Sequence, residues 1–236
     1  MVVLFDADSL IWSSCYRKRE TPDDEMWNGI EEAKGKFDEV LMHIVNTIEE
    51  TYEVDKVIVF AGARGNFRKQ ITKKYKANRI NRELPPCLNE LQSYVKEQYN
   101  AIAGYGVETD DVVATYWTRL SNELGTRDVM IVSIDKDYKQ LPCLIYNYHY
   151  KHRCYIDLNE LEAREFFWTQ MIAGDTADNV NYCKGYGEVY CKKAFKDCLS
   201  DYSYMRVVFA LYKKLYRQKA RERFIECYLQ IKLKTE

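Results

Sequence analysis

The sequence predicts an α/β protein: a largely parallel central sheet flanked by helices, followed by an all-helical region. Three observations carry this. Short unbroken apolar runs at residues 2–5, 57–60 and 129–134 have the composition of strands buried on both faces. The segments between them place apolar residues at helical spacing, as crossover helices do. Beyond Gly174 the alternation stops and only helical patterns remain. Residues 1–173 are therefore expected to form the α/β unit and residues 174–236 a helical one.

The first run, Val2-Val3-Leu4-Phe5, ends at Asp6-Ala7-Asp8. Its aspartates thus stand at the carboxyl end of a strand, where open α/β sheets bind ligands. Asp6 is the functional candidate, whereas Asp8 is expected to cap the next helix. From Asp24 to Tyr52 the residues Trp27, Ile30, Phe37, Leu41, Ile44, Ile48 and Tyr52 recur at three, four or seven. Core packing alone explains such an amphipathic helix.

Between the second strand and Arg82 there is no acidic residue, yet Arg64, Arg68, Lys69, Lys73, Lys74, Lys76, Arg79 and Arg82 are all basic. A solvated helix face usually mixes signs, so a single-sign stretch in a chain of net charge −1 calls for an anionic partner. A phosphate backbone is that partner. Glu83-Leu84-Pro85-Pro86 then breaks the chain. A helical pattern through Leu88, Leu91, Val95 and Tyr99 leads to a short strand at 101–103.

The stretch Gly106-Val107-Glu108-Thr109-Asp110-Asp111 packs three carboxylates into four positions before a helical run. Capping and the helix dipole account for one or two of them. A third adds repulsion that a hard divalent cation would remove. From these residues alone, both readings stand.

The run at 129–134 ends in Asp135-Lys136-Asp137, again with acids at a strand's carboxyl end. Residues 144–148 and 153–156 pattern as two strands joined by a polar turn, and a helix follows over 158–173. In Gly174-Asp175-Thr176-Ala177-Asp178-Asn179-Val180 the aspartates lie three apart, so one helical turn would put both on one face. Lys184-Gly185-Tyr186-Gly187-Glu188 forms a tight turn opening a short helix over 189–199, which is either a plain connector or a phosphate cradle. A long final helix over 204–233 carries a second basic concentration: Lys213, Lys214, Arg217, Lys219, Arg221 and Arg223.

Composition narrows the classes. Eight scattered cysteines without a C-x-x-C pair argue against zinc and against a disulfide framework, and for reduced thiols in the cytoplasm. No apolar run reaches membrane-spanning length, and no basic region precedes the first apolar residues. The three histidines, His43, His149 and His152, all lie away from the acids in sequence. Four separated clusters of acids remain to be explained. If they converge, their repulsion at close range amounts to several kcal/mol even at an effective dielectric of about 20. Two Mg²⁺ ions roughly 3.5–4 Å apart are a known solution, used for phosphodiester cleavage without a general-base histidine.

In order and spacing these pieces resemble the 5′-nuclease or flap-endonuclease superfamily. The likeness rests on Phe5-Asp6-Ala7-Asp8, on Phe67-Arg68-Lys69 with Tyr75-Lys76-Ala77-Asn78-Arg79, and on Gly106-Val107-Glu108-Thr109-Asp110-Asp111. Ser133-Ile134-Asp135-Lys136-Asp137, Gly174-Asp175-Thr176-Ala177-Asp178-Asn179 and Gly185-Tyr186-Gly187 complete it. The phage-encoded 5′→3′ exonucleases and the 5′-nuclease domain of bacterial DNA polymerase I are the members most alike.

The resemblance implies a PIN/resolvase-like 5′-nuclease fold with a helical arch near 79–98 and a helix-hairpin (H3TH-type) region gripping duplex DNA. It implies Asp6, Glu108, Asp110 and Asp135 as ligands of a first Mg²⁺. Asp137, Asp175 and Asp178 would hold a second, with Asp111 in support and Mn²⁺ as a substitute. Lys76 and Arg79 would contact the phosphate to be cut, with Asp6, Asp110 and Asp135 taking part in catalysis. Arg68, Lys69, Lys73, Lys74, Lys192, Lys193 and the Gly185–Gly187 turn would bind DNA, the turn also holding K⁺. Substrates would be DNA with 5′ ends, flaps or nicks, and RNA primers in hybrids, acted on by a monomer.

One departure stands out: Phe60-Ala61-Gly62-Ala63 has no acid where many members carry an aspartate after the second strand. Two rival readings follow, a PIN-like ribonuclease and a non-catalytic DNA-binding member weakened by Ala61.

Overall fold

The computed structural model describes residues 1–17 and 26–236. Five strands form one sheet: β1 (Val2–Asp6), β2 (Lys56–Phe60), β3 (Val129–Val132), β4 (Leu144–Asn147) and β5 (Cys154–Asp157). Their order is β2-β1-β3-β4-β5. All pairings are parallel except β4 with β5, the hairpin the sequence anticipates. The chain leaves β1 to one side for β2 and returns to its other side for β3. The β1–β3 crevice is thus the topological switch point, the place where such sheets bind ligands.

Alternation along the strands sends side chains into two layers. Val3, Phe5, Val59, Met130 and Val132 pack beneath α1 (Asp8–Ser14), α2 (Ile30–Glu49) and α4 (Leu88–Gln98). Leu4, Phe60, Val129 and Ile131 pack against α5 (Thr109–Leu124) through Val113, Ala114 and Trp117. The predicted start of the second helix at Asp24 lies outside the described residues.

The helical half comprises α6 (Glu160–Ala173), α7 (Glu188–Ala194), α8 (Asp201–Tyr216) and α9 (Ala220–Ile231), with the short α3 (Arg68–Ile71) lying earlier in the chain. Phe167, Trp168, Met171 and Ile172 of α6 share a core with α8 and α9, and Tyr75 joins them. Leu233 packs instead into the sheet layer. The two halves therefore exchange side chains across the expected boundary near Gly174.

Four sequence expectations change here. Residues 101–103 contribute only a single bridge, Ile102 to Phe60. The expected long final helix is two helices folded back on each other. The break falls at a 3₁₀ turn, Arg217–Lys219, where Arg217 takes φ +52°, outside the helical region. The expected helix after the glycine turn ends at Ala194. Of the span expected to form an arch, residues 88–98 are a core helix burying Leu88, Leu91 and Val95; each such burial stabilises by about 1.5–3 kcal/mol. Within that span residues 79–84 are exposed, with Arg82 folded back over the Trp12 ring. No helix among the described residues is long and apolar enough to cross a membrane.

Candidate metal centre

Acids from distant parts of the chain meet at the β1–β3 crevice. Asp6 ends β1, buried beneath Tyr138, whose hydroxyl donates to its Oδ2 at 2.8 Å. The Ser133 hydroxyl donates to the same oxygen at 3.3 Å. Asp135 follows β3 and accepts the Asp137 N–H at 2.9 Å, which fixes the acid–lysine–acid turn. Asp110 stands in the first turn of α5. One carboxylate oxygen each of Asp110, Asp135 and Asp137 lies within 4.8 Å of the other two, close enough to hold one cation in common. Asp6, Glu108, Asp110 and Asp135 line a cleft of about 570 Å³, together with Lys76, Arg79 and Arg82.

Confinement makes these acids reluctant to ionise. Burial, reinforced by Asp8, raises Asp6 to about 7. Burial and the neighbouring Asp135 raise Asp137 to about 7. Asp110 is pushed up by burial and then by Glu108 and Asp111. Asp135 is raised by burial, against the Asp137 N–H that favours its charge. A pocket of hard oxygen donors that resist ionisation together fits a divalent cation, whose charge would remove the resistance.

Asp178 and Glu108 face the basic segment. The Tyr75 hydroxyl lies between them, 2.7 Å from Asp178 Oδ2 and 2.6 Å from Glu108 Oε2, with its one proton available to either. Lys76 pairs with Glu108 and lies 3.6 Å from Asp178, while Arg79 reaches Asp178 at 2.9 Å. Although its burial works the other way, these carboxylates hold the Lys76 ammonium above its ordinary value. Lys76 adopts φ +53°, uncommon for a residue with a side chain, and its N–H is held by the Asp178 carbonyl at 2.9 Å. Asp175 is buried and pairs with Lys136 at 2.8 Å. Residues 175–180 form a tight turn closed by Asp175–Val180 backbone bonds, not the helical turn expected from the spacing. The Asp175 carboxylate accepts the Ala177 and Asp178 N–H groups, so a local side-chain bond replaces the helical one.

Three assignments are corrected. Arg68 does not present itself to DNA: it is 1 % exposed and grips Asp111 through both arms of its guanidinium. Asp111 is accordingly no metal ligand, since it is 1 % exposed, locked onto the buried Arg68 and absent from the lining of the cleft; it also accepts the Glu108 N–H at 3.2 Å, a capping bond. Within the acidic triplet Asp111 thus caps the helix, whereas Asp110 faces the cleft. Asp8 caps nothing, because Ala7 holds the cap position of α1. Its carboxylate accepts the Gly62 N–H at 2.8 Å and the Thr109 hydroxyl at 2.6 Å, tying the β2 loop to α5. Ala61 beside it is fully buried, with its N–H on the Ile102 carbonyl.

Lys69, Lys73 and Lys74 are exposed, and none of them lines the acidic cleft. Lys192 and Lys193 are exposed on α7, beyond the Gly185–Gly187 turn, and neither these lysines nor that turn lines the acidic cleft. No histidine among the described residues lines it either. Tyr75, Lys136, Tyr138 and Gln170 carry functional contacts that the sequence did not single out. Tyr75 and Lys136 sit inside recognised motifs, but Gln170, donating to Asp137 at 2.6 Å, lies mid-helix with no local signal.

A parallel sheet that gathers carboxylates at its switch point, beneath a rim of cations, defines a resolvase-like α/β protein with an acidic metal centre. The chain belongs to the 5′-3′ exonuclease family, its residues 1–164 matching the N-terminal resolvase-like domain of that family. A 5′-3′ exonuclease of Buchnera aphidicola (subsp. Acyrthosiphon pisum) is 27% identical over 155 residues, covering 59% of this chain and 52% of the relative. The chain spans about half the length of that curated relative. Among solved structures, the bacteriophage T5 flap endonuclease in complex with DNA and metal ions has a TM-score of 0.62 at 14% identity. That likeness covers 98% of this chain and 99% of the phage protein. The catalytic core of Rad2 bound to a DNA substrate has a TM-score of 0.52 at 14% identity, over 97% of this chain and 73% of its own. These structural likenesses show a shared fold.

Proposed function

We propose that this protein is a Mg²⁺-dependent 5′→3′ exonuclease and flap endonuclease that hydrolyses phosphodiester bonds of DNA. The single observation carrying the reading is the convergence within 4.8 Å of Asp110, at the start of α5, with Asp135 and Asp137, from the turn after β3. Asp110, Asp135 and Asp137 fit a shared divalent cation. On the family pattern Asp6, Glu108, Asp110 and Asp135 would hold one ion and Asp137, Asp175 and Asp178 a second, with Glu108, Asp175 and Asp178 exchanging their Lys76, Arg79 and Lys136 partners for the ions. When bound, such ions supply the Lewis acidity and charge neutralisation that phosphodiester hydrolysis requires.

The protein's own part is positioning and charge. Lys76 and Arg79 line the cleft, where a phosphate entering it would compete with Glu108 and Asp178 for their donors. Negative charge that develops on those oxygens during cleavage is stabilised by the ammonium and guanidinium already in place. The Tyr75 hydroxyl bridges Glu108 and Asp178, within hydrogen-bond distance of both. The exposed Lys69, Lys73 and Lys74 continue the positive track for the strand outside the cleft. Duplex contact extends the reading to Lys192, Lys193 and the Gly185–Gly187 turn, where Gly185 has φ +89° and open space beside its Cα; K⁺ would sit there. Mn²⁺ substitutes for Mg²⁺, RNA primers in hybrids are further substrates, and the working form is a monomer. Eight unpaired cysteines, seven of them buried, agree with action in a reducing cytoplasm.

The double substitution Asp135→Asn with Asp137→Asn tests the reading. Cleavage of a flapped duplex is expected to vanish while binding of the same duplex survives. Undiminished cleavage refutes the site. Faster cleavage of single-stranded RNA than of flapped DNA by the parent protein would favour the PIN-like ribonuclease instead.

A further inference from the structure

Residues 230–234, beyond the part of the chain matched to the family domain, run behind both acidic groups. On one side, Arg68 donates from Nε to the Gln230 carbonyl at 2.9 Å and from Nη2 to the Lys232 carbonyl at 3.0 Å. The same guanidinium holds Asp111 at 2.5 and 2.7 Å and reaches Glu108 at 3.3 Å. The Lys234 N–H closes this side by donating to Asp111 Oδ1 at 2.9 Å.

On the other side the reader is Gln140. Its Nε2 donates to the Ile231 carbonyl at 2.9 Å, and its Oε1 accepts the Leu233 N–H at 3.2 Å. That Nε2 also donates to Gln170 Oε1 at 2.9 Å, and Gln170 Nε2 donates to Asp137 at 2.6 Å. Five consecutive residues thus bond, at one remove, to the helix that carries Asp110 and, at two removes, to Asp137. Arg68, Asp111, Gln140, Gln170 and Gln230 are all buried. A buried polar network with its partners satisfied is locked in orientation. An apolar side chain such as Leu233 would anchor the segment by itself, and this wiring exceeds that need.

We propose that residues 230–234 are a positioning strap for the acidic centre, setting the separation between the Asp110 side and Asp137, with Gln140 and the Lys234 N–H as its transmitting groups. The inference rests on the metal-binding reading of the cleft. Orienting partners behind ligands govern metal affinity by about 10–100-fold.

The test is calorimetric titration of the full chain with Mn²⁺, using Gln140→Met, Lys234→Pro and Lys234→Ala. Methionine keeps the length of Gln140 without its bonds; proline at this exposed position removes the N–H together with the side chain over Phe67, and alanine removes that side chain alone. Gln140→Met and Lys234→Pro are expected to weaken Mn²⁺ binding about tenfold, with Lys234→Ala matching the parent. The Mn²⁺ concentration for half-maximal cleavage of a flapped duplex should shift by the same factor, and the KM for DNA should not. Should Gln140→Met fail to fold, the proline–alanine pair decides alone. Parent-like Mn²⁺ affinity in Lys234→Pro, or an equal loss in Lys234→Ala, overturns the strap and leaves the metal centre standing. A parent protein that takes up no Mn²⁺ overturns the metal centre and the strap with it.

Discussion

Arg68 and Asp111 meet in the protein interior as a two-pronged ion pair, with N···O distances of 2.5 and 2.7 Å. Despite its burial, Asp111 holds the Arg68 guanidinium above its ordinary value. Removing one partner of a buried pair strands the other charge and costs about 3–5 kcal/mol. Arg68→Met is therefore expected to lower unfolding stability by about that much in urea titrations, whereas Arg68→Met with Asp111→Leu recovers part of it. A double variant less stable than Arg68→Met alone would contradict this account.

Lys76 and Arg79 differ in setting. Lys76 is packed between Glu108 and Asp178, whereas Arg79 is nearly half exposed. A donor fixed in a desolvated site contributes more to a charged transition state than one in solvent. Lys76→Met is expected to reduce the single-turnover cleavage rate about 10²–10³-fold, and Arg79→Met clearly less. Rapid-quench kinetics on a flapped duplex would rank them, and equal reductions would contradict the ranking.

The acids predict an unusual pH profile for the metal-free protein. Asp6 and Asp137 hold their protons to about 7 in the fold, against an ordinary value of 3.8. Between those values the folded state binds more protons than the unfolded one, so these groups favour folding fully only below the lower value. Their contribution is lost as pH rises through about 7. In metal-free buffer Tm is expected to fall from pH 5 to pH 8 through these groups, and Mg²⁺ should raise Tm more at pH 8 than at pH 5. Scanning calorimetry with and without EDTA checks both signs.

Exposed lysines outside the cleft should act as sequence-independent phosphate binders. Replacing Lys69, Lys73 and Lys74 with glutamine is expected to weaken duplex binding. The salt dependence of affinity should fall by about 0.9 in log–log slope for each phosphate no longer neutralised. Fluorescence anisotropy over a range of KCl gives that slope directly. An unchanged slope would place the DNA elsewhere.

Much of this site can be read from the chain alone. The strands ending in Asp6 and Asp135 are visible because a buried parallel strand is a short unbroken apolar run, and its carboxyl end faces the ligand crevice. The triplet at 108–111 is equally visible, but its division of labour is not. Asp110 and Asp111 are adjacent and chemically identical, yet a helix turns successive side chains about 100° apart, so one enters the cleft and the other the interior. The same holds in the basic segment, where nothing local separates Arg68 from the exposed Lys69.

The sequence by itself determined the fold class and which segments bring acids to the cleft, because these follow from local periodicity and residue chemistry. Tertiary structure alone decided which charges are turned inward, that the final helix doubles back at Arg217, and that Gln140, Gln170 and residues 230–234 stand behind the acids. Those outcomes depend on partners far away in the chain: Arg68 is buried because Asp111 and two backbone carbonyls more than a hundred and sixty residues later await it. A charge enters the interior only when such partners compensate its lost hydration, and no local window of sequence contains them.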